Sequence, residues 1–240
     1  MLRLAALLIL CALPLRAETA LVAVAANFAS AAQALAGLYA GETGHEILLT
    51  TGATGKLYAQ ITQGAPFDLM LSADAATPAK LHAAGHGVPQ PYAIGILTLW
   101  MPSMSPGQDP AIALQDSTIR HIAIANPDLA PYGTASVAAL EAMGIYAAIA
   151  GKIVMGQNIG QAFALVHSGA AEAGFVARSA LPEAAKGYVW NVTPAFYPPI
   201  RQDAILLKHG AGNVAAAGFL AFLATPAARD TIARHGYALP

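Results

Sequence analysis

Residues 47–74, ILLTTGATGKLYAQITQGAPFDLMLSAD, hold an apolar run at 47–50, a helical stretch at 55–64 and a second apolar run at 68–71. That spacing reads as strand, helix, strand, a unit whose crossover helix lets the two strands lie parallel. The rhythm extends in both directions. Upstream, 21–26 has the pattern of a strand and 28–41 that of a helix; downstream, 76–84 is helical. An extended run at 93–101 then leads into a second series: strand 122–125, helix 134–150, strand 153–155, helix 158–168 and strand 173–176. Such alternation predicts an α/β fold with mostly parallel sheets.

Two features divide the chain. MPSMSPGQDP (101–110) is a Pro- and Gly-rich surface loop, and TPAFYPPIRQDAILL (193–207) is a second extended region ahead of two closing helices at 212–224 and 226–235. If the closing helices return to the first series, the two extended runs are interlobe crossings. Residues 18–97 and 204–240 then form lobe I and 98–203 lobe II, with a hinge near 97 and 203. A cleft opens between the carboxyl ends of two sheets.

Residues 1–17, MLRLAALLILCALPLRA, have the layout of a signal peptide: Arg3, an apolar block from Leu4 to Leu13, and Ala17 at the end. The block is about half the roughly 20 apolar residues of a membrane-spanning helix. Cys11 is the single cysteine and leaves with this leader, so no disulfide is expected. The net charge is −1, and losing Arg3 and Arg16 makes it two units more negative. With no run of Lys and Arg, nucleic acid is excluded as a partner. Charged residues are 10% of the chain, against roughly 25% in an average domain. Long-range steering by a basic patch is therefore not available, and any anion site has to work through hydrogen bonds.

Several helix starts share one pattern. In VAVAANFASAAQAL (22–35), Asn27 reads as an N-cap. In LLTTGATGKLYAQI (48–61), Gly52 and Gly55 bracket Thr54 ahead of a helix that starts near Lys56. In ANPDLAPYGTASVAAL (125–140), Tyr132 and Gly133 precede a helix, and in GQNIGQAFALV (156–166) Asn158 caps a helix whose first residue is Ile159. First-turn N–H groups lack intrahelical acceptors and favour anions. Each charge-assisted hydrogen bond to a dianion contributes about 1.5–3 kcal/mol, so convergence of several needs no buried countercharge. The plain alternative is that these are ordinary caps, and spacing along the chain does not show convergence.

Five strings, VAVAANFASA, TTGATGKLYAQITQGAPFDLMLSAD, ANPDLAPYGTASVAAL, GQNIGQAFALVHSGAAEAGFVA and YPPIRQDAILL, resemble the molybdate-binding proteins of ABC importers, which are type II periplasmic binding proteins. The resemblance runs from about Leu21 to Tyr237. It implies a two-lobed binding protein, not an enzyme, that is exported to the periplasm. It further implies a monomer that binds molybdate or tungstate without a cofactor, holding molybdenum only as the oxyanion, and delivers it to an inner-membrane ABC permease. The family's oxyanion ligands fall on Asn27 and Thr54, where many members have Ser, and on Tyr132 and Ile159, where the main-chain N–H serves. One position departs: some members supply a Tyr hydroxyl where Ala177 stands here, followed by Arg178 at the expected cleft rim. A donor-only pocket suits a full dianion and disfavours phosphate, which keeps a proton.

Other signals carry less. GATGK lacks the Gly that a P-loop needs at Thr50 and the hydroxyl it needs at Leu57. His82 and His86 have helical metal-pair spacing but no nearby third ligand. Asp68, Asp74 and Asp203 lie without a nucleophile elbow or metal triad and read as structural, Asp74 as a helix cap and Asp203 as the ion-pair partner of Arg201. Phe67, Tyr92 and Trp100 read as core or interlobe packing. The competing readings are a binding protein for sulfate or a small organic anion, an exported hydrolase acting through Thr54, and a ligand-free sensor lobe.

Overall fold

A computed structural model describes residues 17–240; the expected signal peptide lies outside them but for Ala17. The first half opens with β1 (Thr19–Ala25), a 3-10 turn at Ala26–Phe28 and α1 (Ala29–Thr43). It continues with β2 (Glu46–Gly52), α2 (Thr54–Thr62), β3 (Leu69–Leu71), α3 (Ala76–Ala83) and β4 (Gln90–Gly95). The second half comprises β5 (Leu97–Met101), α4 (Pro110–Gln115), β6 (Ile122–Ala125), α5 (Pro131–Ala142), α6 (Tyr146–Ile149), β7 (Ile153–Gly156), α7 (Ile159–His167), β8 (Ala173–Ala177) and β9 (Tyr188–Asn191). β10 (Ile200–Leu206), α8 (Val214–Phe222) and α9 (Pro226–Arg234) close the chain.

The strands form two five-stranded sheets, in the orders β2-β1-β3-β10-β4 and β7-β6-β8-β5-β9. β1 runs parallel to β2 and β3, and β6 parallel to β7 and β8. In each sheet one strand runs against its neighbours on both sides, β10 in the first and β5 in the second. These two are the strands with which the chain enters each sheet after crossing. It leaves the first sheet at Ile96 and returns between Asn191 and Ile200, upstream of the expected 203, because Ile200–Asp203 already pair with β4.

Period-two alternation positions the cores. Val22 and Val24 of β1 pack with Phe28, Leu35, Tyr39 and Phe219 on one face of the first sheet. Ala23, between them, faces Leu57, Ile61, Met70 and Leu81 on the other. The second sheet carries its own core, built on Leu97, Leu99, Ile122, Ile124, Phe175 and Leu140. Both sheets are thus covered on two faces, which explains why their parallel strands are near-continuous apolar runs.

One local reading is corrected. The helix expected at 134–150 is two, because Gly144 adopts a left-handed φ of 71° that ends the first. The extended run 93–101 crosses between the sheets as read, its two parts being the end of β4 and β5. The loop after Met101 ends in α4, started by Asp109, whose carboxylate accepts from the N–H groups of Ala111 and Ile112, with Pro110 in the first turn.

Candidate functional site

The carboxyl ends of the parallel strands of both sheets face one another. The turns that follow β1, β2, β6 and β7 enclose a small cavity lined by Asn27, Thr54, Tyr132 and Ile159 together, along with Asn158 and the small residues around them. The four sequence-predicted positions, spread from residue 27 to residue 159, meet there. Among the described residues, no charged side chain lines the cavity. It offers about 10 Å³ to the centre of a water-sized sphere, close to the least that holds a single water. Outside it lies a cleft of about 610 Å³, bordered by Asp74, Lys80, Asp128 and Arg201.

Three of the four lining positions owe their donors to where a helix starts. Thr54 is the first residue of α2 and is buried. Its Oγ1 accepts from the N–H of Ala73 at 3.2 Å, which leaves the hydroxyl proton free for a second partner. Pro131 and Tyr132 begin α5, and Ile159 begins α7, so the N–H groups of Tyr132 and Ile159 have no carbonyl four residues back in their own helices. Asn158 caps α7 as expected, accepting from the N–H of Gln161 at 3.0 Å. Gly133 lets α5 start against β6: a Cβ there would lie 2.8 Å from the Asn126 carbonyl carbon and would overlap Ala125.

Asn27 differs from its reading. It is no N-cap; it sits inside the 3-10 turn, and α1 begins without a side-chain cap. Its amide nitrogen donates to Gln202 Oε1 at 3.0 Å and to the Tyr237 hydroxyl at 3.1 Å, both in the first lobe. Arg178 does not border the cavity or the cleft. Its guanidinium donates to the Leu181 carbonyl at 2.9 Å and faces a groove shared with Arg234, His235 and Gly236. Ala177, fully buried at the end of β8, is not among the lining residues.

The acidic residues have local partners. Asp68 accepts from the Leu21 N–H at 2.7 Å and pairs with His209 at 2.8 Å. Asp74 accepts from the Thr77 N–H at 2.8 Å at the start of α3. Arg201 and Asp203 pair at 3.0 Å. His86 accepts from the Lys208 N–H, and His82 contacts the Gly87 carbonyl. No cluster of three or more His, Cys, Asp or Glu suited to a metal occurs among the described residues.

Four residues absent from the sequence reading matter beside the cavity: Gly95, Ser179, Gln202 and Tyr237. Ser179, which follows β8, donates to the Asn27 carbonyl at 3.0 Å, and the Tyr237 hydroxyl contacts the same carbonyl and Ser179. The Gly55 N–H donates to the Leu129 carbonyl at 3.0 Å. These bonds join the lobes directly, so the arrangement is closed. Gln202 could have been noticed as the polar inward member of an alternating strand; the others carry no local signal. Burial pushes the phenols of Tyr132, Tyr92 and Tyr237 well above their usual pKa. The phenols in and beside the cavity are therefore neutral at physiological pH.

Residues 20–238 match the family of bacterial extracellular solute-binding proteins. The chain is 41% identical over 229 residues to the molybdate-binding protein ModA of Rhodobacter capsulatus, covering 94% of this chain and 90% of that one. It is 42% identical over 226 residues to ModA of Azotobacter vinelandii, covering 91% and 89%. The solved structure of the Azotobacter vinelandii periplasmic molybdate-binding protein superimposes with a TM-score of 0.87 at 36% identity, over 92% of this chain and 99% of that one.

Proposed function

Because this chain belongs to the bacterial extracellular solute-binding proteins, in their molybdate-binding group, we propose that its interlobe cavity captures molybdate, and tungstate with it, for an ABC importer. One observation carries the reading: a small interlobe cavity, with no charged side chain among the described residues that line it, bordered by three helix starts and the 3-10 turn that holds Asn27. In it the Thr54 hydroxyl and the N–H groups of Tyr132 and Ile159 serve as donors to the oxyanion. Asn27 contributes through its main chain, since its amide nitrogen is engaged elsewhere.

The lining suits a full dianion and offers little to phosphate, whose remaining proton wants an acceptor. Hydrolysis through Thr54 is disfavoured too, because its hydroxyl meets the Ala73 N–H and no base. The protein works as a monomer that is exported through residues 1–17 to the periplasm, closes over the anion and presents the closed form to the permease.

Calorimetric titration of the purified protein with molybdate, tungstate, sulfate and phosphate tests this reading. Tight one-to-one binding of the first two alone is expected. Heat from sulfate with silence toward molybdate would overturn the choice of ligand and keep the fold.

A further inference from the structure

Three polar atoms next to the cavity, Asn27 Oδ1, the Tyr132 hydroxyl and Gln202 Nε2, are buried and lack a well-aligned hydrogen bond. Their residues are 7%, 1% and 0% exposed, so bulk solvent does not reach these atoms. The atoms belong to different lobes: Tyr132 starts α5 in the second, while Asn27 and Gln202 lie in the first.

Their chemistry is complementary. Asn27 Nδ2 and the Tyr92 hydroxyl both sit at Gln202 Oε1, at 3.0 Å each, which turns Gln202 Nε2 toward Tyr132. A phenol hydroxyl can accept from that Nε2 and donate to Asn27 Oδ1, which satisfies all three atoms at once. Gly95, the last residue of β4 before the crossing, makes room for this meeting. A Cβ there would overlap the Tyr132 hydroxyl and lie 2.7 Å from Gln202 Nε2.

We infer that the Tyr132 hydroxyl is a positioning group: it seats in a notch formed by Gly95, Gln202 and Asn27 and latches the closed lobes while the N–H of the same residue holds the anion. The inference rests on the proposed anion site. Opening the lobes returns all three polar atoms to water. Losing the hydroxyl leaves Gln202 Nε2 and Asn27 Oδ1 buried without partners in the closed form alone. The latch therefore acts on anion release and not on anion encounter.

The test uses molybdate with the wild type, Tyr132→Phe, Gly95→Ala and the double variant, measuring association and dissociation rates separately. Tyr132→Phe keeps the main-chain N–H. It is expected to raise the dissociation rate roughly tenfold with the association rate within about twofold. Gly95→Ala is expected to accelerate release more, and to do so less when added to Tyr132→Phe than when added to the wild type, because the hydroxyl is the nearest of the atoms its Cβ meets and Tyr132→Phe removes it. Dissociation at the wild-type rate in Tyr132→Phe, or equal effects of Gly95→Ala in both backgrounds, overturns the latch alone. Failure of the wild type to bind molybdate overturns the anion site itself and the latch with it.

Discussion

The N–H of Gly55, in the first turn of α2, donates to the carbonyl of Leu129, just ahead of α5, at 3.0 Å, and ties one lobe to the other at the edge of the cavity. A Cβ on Gly55 would stand 3.2 Å from that same carbonyl oxygen. Gly55→Val is therefore expected to hold the lobes apart and weaken molybdate binding about tenfold, roughly 1.4 kcal/mol. The melting temperature of the anion-free protein should stay within a few degrees, because the clash exists only on closure. Calorimetry and thermal melts check the two halves; unchanged affinity would remove this contact from the closing motion.

Thr54→Ala deletes one donor to a charged ligand and leaves a small buried side chain in its place. Binding is expected to weaken by about 1–3 kcal/mol with the fold intact. Titration calorimetry beside a circular dichroism melt reads both effects, and wild-type affinity in the variant would take Thr54 out of the site.

Ile159→Pro isolates a main-chain donor. Ile159 is the first residue of α7, and Asn158 before it has φ −151° and ψ 174°. Proline is accepted at this helix position, and an extended residue is what should precede it. Against an Ile159→Ala control, which loses the same side chain but keeps the N–H, the proline variant should bind molybdate more weakly by about 1–3 kcal/mol. Equal affinities would exclude the Ile159 N–H as a ligand.

Affinity for the dianion should be flat from about pH 6 to 9, because the lining has no group that titrates there. The Tyr132 phenol is displaced upward, chiefly by burial, with the Tyr237 and Tyr197 phenols reinforcing the shift. It stays neutral throughout. A measured titration step within that range would reveal an ionisable group in contact with the anion.

Stability at low pH has a different source. Glu172 accepts from the backbone N–H groups of His121 and Arg120 and from the Arg120 side chain. The His121 N–H is the largest cause of a pKa lowered to about 2. A carboxylate with a lowered folded-state pKa stabilises the fold above its unfolded value, near 4.5, and loses that contribution as pH falls toward 2. The melting-temperature gap between wild type and Glu172→Gln should thus be widest above pH 5 and close across that window. A gap independent of pH would contradict the assignment.

Much of this molecule is local in origin, and the sequence by itself determined that part. The strand–helix–strand rhythm of residues 47–74, the cap at Asn158 and the helix starts near Thr54 and Ile159 follow from periodicity and from backbone groups that need partners within a few residues. The break at Gly144 and the start of α4 at Asp109–Pro110 are local too, set by a glycine in the left-handed region and by an Asp cap ahead of proline. Other features only the tertiary structure decided. Asn27 looked like a cap, yet its amide is drawn to Gln202 and Tyr237, 175 and 210 residues away, and Arg178 turns from the cleft to the carbonyl of Leu181. Convergence of three helix starts and the 3-10 turn of Asn27 on one cavity, and the seating of the Tyr132 hydroxyl beside Gly95, depend on how two sheets pack across a hinge. A side chain buried at such a junction takes whichever partner the fold brings within hydrogen-bond reach, since leaving it unpaired costs about 1–3 kcal/mol.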